Sequence, residues 1–233
     1  YLEMDTDTQG HRRGPYNMQE TLLKVDSDIG EMLQYLEDAG IRDKTAVIVA
    51  SDHGMIESSL PGMAPHILDY LKDAGFSIAT TDRAIKKNTD IVAITAGSLF
   101  LYFREGRIDE TKYNTIMSIL ETIPNVDVLT ETELRAMHTD PYALGDIVLA
   151  PRPGYVLTTG SGGGMHGVPE TQHTTLILSG AGIREGQVQG RANTVDIAPT
   201  ILHLLGLDIP DTIDGEVLKG AIRPPKINWG NIF

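Results

Sequence analysis

Cysteine is absent from all 233 residues. That excludes disulfides, thiolate metal sites and cysteine nucleophiles, and it leaves the redox compartment undetermined. No apolar run approaches the roughly 20 residues that a membrane-spanning helix needs. Internal repeats and low-complexity tracts are also lacking. Cations are in the minority: 19 Lys and Arg stand against 32 Asp and Glu, for a net charge of −13. A nucleic-acid backbone is held by clustered Lys and Arg, so no nucleic-acid-binding surface is expected, and bound cations would offset part of the acidity. Neither an initiator Met nor a signal peptide precedes Tyr1. Tyr1-Leu-Glu-Met reads as the tail of a strand, so the chain is expected to be the C-terminal portion of a longer protein. Its targeting information, and with it its localisation, is then not legible.

What is present belongs to an ordinary globular chain, with 41% hydrophobic and 22% charged residues. Leu22, Val25, Ile29, Met32, Leu33 and Leu36 recur at three- and four-residue intervals, which predicts a helix from Asn17 to Ala39 with one apolar stripe. Gly40 is a natural left-handed stop. Thr45 to Ala50 is a continuous apolar run, suited to a parallel strand buried on both faces. Strand, helix, strand is a βαβ unit, and it would set residues 7–11 and 52–53 at the ends of neighbouring strands. The texture then changes. Helices are expected at Pro65–Ala74, Asp109–Thr122 and Glu131–Met137. Short strands are expected at Phe76–Ala79, Ile91–Ile94, Ser98–Phe103, Val126–Leu129, Ile147–Ala150 and Tyr155–Leu157. This mixture suggests an α+β insertion. A strand at Thr174–Leu178 and a helix at Val195–Leu205, capped by Asn193 or Thr194, return to the pattern of the core.

Three short segments carry residues suited to metal chemistry. Asp7 and His11 form an Asp-x-x-x-His pair, Asp52 and His53 follow the apolar run, and His166 lies within Gly162-Gly-Gly-Met-His-Gly167. Carboxylate oxygens and imidazole nitrogens are usual ligands of zinc and similar ions. Strand carboxyl ends are where open α/β sheets bind ligands, and charged groups ending a buried strand need partners. Each cluster also has a plainer reading: Asp7 as a turn former with a surface His11, Asp52-His53 as a solvated strand end, His166 in a flexible loop. His66, His138 and His203 fall within helical patterns and suit surface or packing roles, and His173 could stand behind the ligands. Arg12 and Arg13 could meet an anionic substrate or form a solvated pair. Asp196 is explained by helix capping, and Asp211 and Asp214 by turns.

Asp7-x-x-x-His11 before Gly14-Pro15, then Ser51-Asp-His-Gly-Met55 and Met165-His-Gly-Val-Pro169, resembles the alkaline phosphatase superfamily. Within it the pattern is most similar to the type I phosphodiesterase/nucleotide pyrophosphatase group, with phosphonoacetate hydrolase a near relative. The stretch Asn193–Gly206 followed by Asp214-Gly215 resembles that group too. The resemblance implies an α/β fold, a mostly parallel sheet flanked by helices with an inserted α+β cap. The core would be residues 1–56 and 165–233, and the cap 57–164. It implies two divalent metal ions, zinc or alternatively manganese, one held by Asp7, His11 and His166 and the other by Asp52 and His53. The family's Thr or Ser nucleophile and a further ligand Asp belong upstream of Tyr1. No catalytic residue is therefore assigned here, and this portion alone is expected to be inactive. The implied function is hydrolysis of phosphoric esters, with a small-molecule phosphate or phosphonate ester as substrate and the oligomeric state open. The alternatives are a phosphonoacetate hydrolase, a metal-dependent phosphomutase and a catalytically dead, metal-stabilised binding module.

Overall fold

Local periodicity forms most of the expected elements. In the computed structural model, residues 2–57, 64–136, 139, 145–157, 163–186 and 190–224 are described, with residues 2–7 and 64–66 described in backbone only. The helices are α1 (Leu2–Arg13), α2 (Gln19–Asp38), α3 (Ala64–Asp73), α4 (Glu110–Leu120), α5 (Glu131–Ala136) and α6 (Ile197–Leu205). The strands are β1 (Ala46–Ala50), β2 (Ile56–Glu57), β3 (Ile78–Ala79), β4 (Ile91–Ala96), β5 (Ser98–Phe103), β6 (Val126–Thr130), β7 (Ile147–Pro151), β8 (Gly164–Met165) and β9 (Leu176–Gly180). Helix α2 ends as foreseen: Gly40 takes φ +66, and the Ile41 N–H donates to the Leu36 carbonyl at 3.0 Å, the paired-bond stop that a left-handed residue permits. Asp109 caps α4 by accepting from the Lys112 N–H at 2.8 Å.

The chain groups into two compact units: Tyr1–Val25 with His53–His173, and Asp26–Asp52 with Thr174–Phe233. The first unit holds a five-stranded sheet of order β3-β4-β5-β7-β6. Its pairings are antiparallel except for β3 with β4. Leu99 pairs with Leu149 and Leu101 with Ile147. All four side chains are fully buried, together with Ile67 and Leu71 of α3 and Ile116 and Leu120 of α4. Alternate residues of β4 and β5 thus point at two helices over one face, and each such side chain contributes about 1.5–3 kcal/mol by leaving water. The same unit holds the short β2–β8 pair, Ile56 opposite Met165 and Glu57 opposite Gly164. In the second unit β1 and β9 pair antiparallel, Ala46 opposite Gly180 through Ala50 opposite Leu176.

Several expectations give way. Leu2–Met4 is not the tail of a strand: the segment is helical through Arg13. No strand pairs with it among the described residues, and helical bonds satisfy its backbone groups locally. The βαβ unit expected between residues 1 and 50 does not form either, because its first strand is α1 and β1 takes β9 as its partner. Strand β1 is half-buried rather than covered on both faces. The α2 stripe is only partly buried: Val25, Ile29, Leu33 and Leu36 are half-buried, while Leu22 is 56% and Met32 41% exposed. An apolar stripe states what a helix can bury, and tertiary packing decides whether it does. Tyr155–Leu157 does not form a strand, although Val156 and Leu157 are buried. The C-terminal helix starts two residues late, after a 3-10 turn at Thr194–Asp196 that is capped at Asn193. Within the described residues the α/β character lies in mixed sheets with helices, and the parallel pairing is confined to β3–β4.

Candidate metal centre

Glycine is what lets the distant segments of the first unit meet. Gly163 has φ +96, and a Cβ there would lie 2.0 Å from the His11 carbonyl oxygen. A Cβ on Gly164 would lie 2.5 Å from the Gly10 carbonyl oxygen. The end of α1 and strand β8 therefore touch backbone to backbone, a closeness that any side chain would forbid. Pairing of β8 with β2 joins the 164–165 segment to the residues after His53. The Gly54 N–H adds a bond of 2.6 Å to the Thr171 carbonyl.

These contacts gather three imidazoles from three parts of the chain. The His53 and His166 rings stack with centroids 3.7 Å apart and planes 10° from parallel. The His11 ring lies 5.1 Å from that of His166, tilted by 55°. His53 and His166 are half-buried, and His11 is more open. Nδ1 of His11 lies 3.0 Å from the Gly164 carbonyl oxygen, and Nδ1 of His53 lies 2.9 Å from that of Gly54. A carbonyl only accepts, so each bond requires the proton on Nδ1 and leaves the lone pair on Nε2. That is the tautomer a metal-binding histidine adopts when a backbone carbonyl orients it. Among the described residues no three His, Asp or Glu side chains are arranged to hold a metal ion as they stand. The donor chemistry nevertheless suits a divalent ion of the zinc type: three neutral-capable imidazoles, two of them oriented from behind.

The remaining candidates divide. Asp7 lies one helical turn before His11 in α1, so the Asp-x-x-x-His spacing is a helix repeat here rather than a loop folding back after a strand. Asp52 is exposed and belongs to the second unit, while His53 begins a segment of the first. Arg13 forms an exposed pair with Glu20 at 3.0 Å, which such exposure makes worth little. Arg12, His173, His203, Asp211 and Asp214 are exposed. Asp196 is buried and structural, accepting the Asn193 N–H at 2.8 Å and the Glu216 N–H at 2.9 Å. The side chains of Asp7 and His66 and all of His138 lie outside the described residues. Gly97 and Ser98, which touch the His166 segment, were not legible as site residues. Gly97 is a one-residue turn between two β-rich runs and Ser98 opens the second, and such a turn carries no trace of the distant backbone it meets.

The sequence profile for "type I phosphodiesterase / nucleotide pyrophosphatase" matches residues 1–175. The chain belongs to this family. Among curated relatives, the mouse bis(5'-adenosyl)-triphosphatase enpp4 is 27% identical over 212 residues, covering 87% of this chain and 42% of that protein. The chain thus spans less than half the length of that relative. A shorter match, 47% over 60 residues, covers 24% of this chain and 11% of the 2,3-bisphosphoglycerate-independent phosphoglycerate mutase of Salinibacter ruber. A crystal structure of the alkaline phosphatase PafA superposes with a TM-score of 0.74 at 21% identity, covering 94% of this chain and 46% of that one. The family's fold is therefore alkaline phosphatase-like, and the α/β class expected from the sequence holds.

Proposed function

We propose that this chain carries the greater part of the metal centre of a phosphoric-ester hydrolase of the phosphodiesterase/nucleotide pyrophosphatase type. The observation that carries the reading is the convergence of His11, His53 and His166, which are remote in sequence. In this reading the three imidazoles hold divalent ions through Nε2, with Asp7 and Asp52 as carboxylate ligands. The ions are two zinc, with manganese as the alternative. When bound, such ions supply Lewis-acid stabilisation of charge on the phosphoryl oxygens and activation of an oxygen nucleophile. The chain's own part is orientation: the Gly164 and Gly54 carbonyls hold two rings in the ligating tautomer, and the glycine contacts bring those rings together. No residue of the chain is assigned as nucleophile. The separate core of the five-stranded sheet supports reading residues 57–164 as a cap between core segments 1–56 and 165–233. The substrate is a small-molecule phosphate or phosphonate ester.

Metal analysis of the full-length protein should find about two zinc per chain, and the metal-loaded protein should hydrolyse a nitrophenyl phosphodiester faster than phosphonoacetate. Absence of stoichiometric metal would end the proposal. The short mutase match favours a second reading, a metal-dependent phosphomutase, but it spans a quarter of the chain where the family profile spans 175 residues. Transfer of phosphate between positions of a sugar phosphate without release, stimulated by manganese, would favour the mutase. Metal binding with no turnover of any of these substrates would favour the binding module.

A further inference from the structure

The β4–β5 turn touches the His166 segment in a way that packing alone does not require. Gly97, at φ +83, is the single residue between the two strands, and a Cβ on it would lie 2.0 Å from the His166 carbonyl oxygen. Reciprocally, a Cβ on Gly167, at φ +81, would lie 2.1 Å from the Ala96 carbonyl oxygen. Two glycines thus face each other's backbone with no side chain between them. Beside them the Ser98 hydroxyl donates to the Gly167 carbonyl at 2.8 Å. Ser98 is only 5% exposed, so this hydroxyl reaches its partner out of water, where losing the bond costs most. The segment 163–167 is then gripped on three sides: by α1 at Gly163 and Gly164, by β2 at Met165, and by this turn at His166 and Gly167.

We infer that Ser98, with Gly97, is a positioning residue for His166: the turn of the five-stranded sheet sets the backbone that aims this imidazole at the metal. The inference rests on the proposed metal centre. Gly54 and Gly164 orient His53 and His11 by bonds to the rings, whereas Ser98 orients His166 through its main chain. The five-stranded sheet is thereby tied to the metal site by one hydroxyl and two glycines. Removing an orienting partner of this kind typically weakens metal binding about 10- to 100-fold.

The test uses the full-length protein, with zinc affinity read by competition against a chelating dye and ligand geometry read from the visible spectrum of the cobalt(II) form. Ser98→Ala should raise the zinc dissociation constant about tenfold and shift the cobalt bands. Ser98→Thr, which keeps the hydroxyl, should stay close to wild type. Ser98→Val, of the same shape without the hydroxyl, should behave as alanine does, and the Thr/Val pair decides the matter if the alanine variant does not fold. His166→Ala is the reference. If it loses zinc while the Thr and Val variants bind alike with an unaltered cobalt spectrum, the positioning role is overturned, including where thermal stability alone has fallen. If His166→Ala binds zinc as wild type does, the metal centre itself fails and the inference falls with it.

Discussion

At the residue scale, the site is three imidazoles and the carbonyls behind them. His11→Ala and His53→Ala should each weaken zinc binding by at least about tenfold, because each removes a ring whose tautomer the backbone has set. His203→Ala, exposed on α6, should leave affinity unchanged, and equal affinity across all three variants would contradict the assignment. Asp196→Ala tests a different kind of residue. It deletes the acceptor of two backbone N–H groups, and a cap of this sort is worth about 1–2 kcal/mol. A lower urea midpoint with intact zinc affinity is the expected result. A loss of affinity would instead show that Asp196 takes part in metal binding. The sequence distinguished these residues through their neighbours. Asp196 stands three residues after Asn193 at the head of an apolar helical run, and His166 stands between glycines that supply no packing. Which carbonyl each imidazole meets was not legible, since that depends on a bond across 153 positions in the case of His11 and Gly164.

At the element scale, close approach and conformation can be separated. Gly163 and Gly75 share nearly the same φ, +96 and +93, but a Cβ on Gly75 meets nothing within 4 Å while one on Gly163 meets the His11 carbonyl oxygen at 2.0 Å. Gly75→Ala should therefore cost only the left-handed strain, about 1–2 kcal/mol. Gly163→Ala should cost more than that and also lower zinc affinity, because α1 and β8 must part to admit the methyl group. Denaturation and zinc titration of both variants check this, and an equal cost for the two would show that the α1–β8 contact is not tight. Elements are legible where the signal is local. The run Ser98–Phe103 forms β5 residue for residue, and the helix expected at Asp109–Thr122 forms as Glu110–Leu120, with Asp109 as its cap. The helical state of the α1 segment is not legible because four residues of mixed type cannot say whether their backbone bonds close locally or across a sheet.

At the scale of the whole molecule, bound metal should act as a ligand of the native state. At a free zinc concentration a hundredfold above the dissociation constant, the stabilisation is about 2.7 kcal/mol, so a chelator should lower the melting temperature of the full-length protein by several degrees. An unchanged melting curve would count against metal in the native state. Leu149→Ala offers the contrast. This fully buried side chain of β7, an interior strand of the five-stranded sheet, should cost about 2–5 kcal/mol through the cavity it leaves, with zinc affinity per folded molecule unaltered.

From its residues alone the chain made known its class, its family pattern, most of its regular elements and its candidate metal ligands, because periodicity, turn chemistry and ligand type are properties of short stretches. The strand partners, the partial exposure of the α2 stripe, the meeting of His11, His53 and His166, and the hold of the 97–98 turn on residue 167 were decided only by the tertiary structure. Each of these depends on which distant backbone comes within a few ångströms. A glycine announces that such an approach is allowed, and the fold alone selects what approaches.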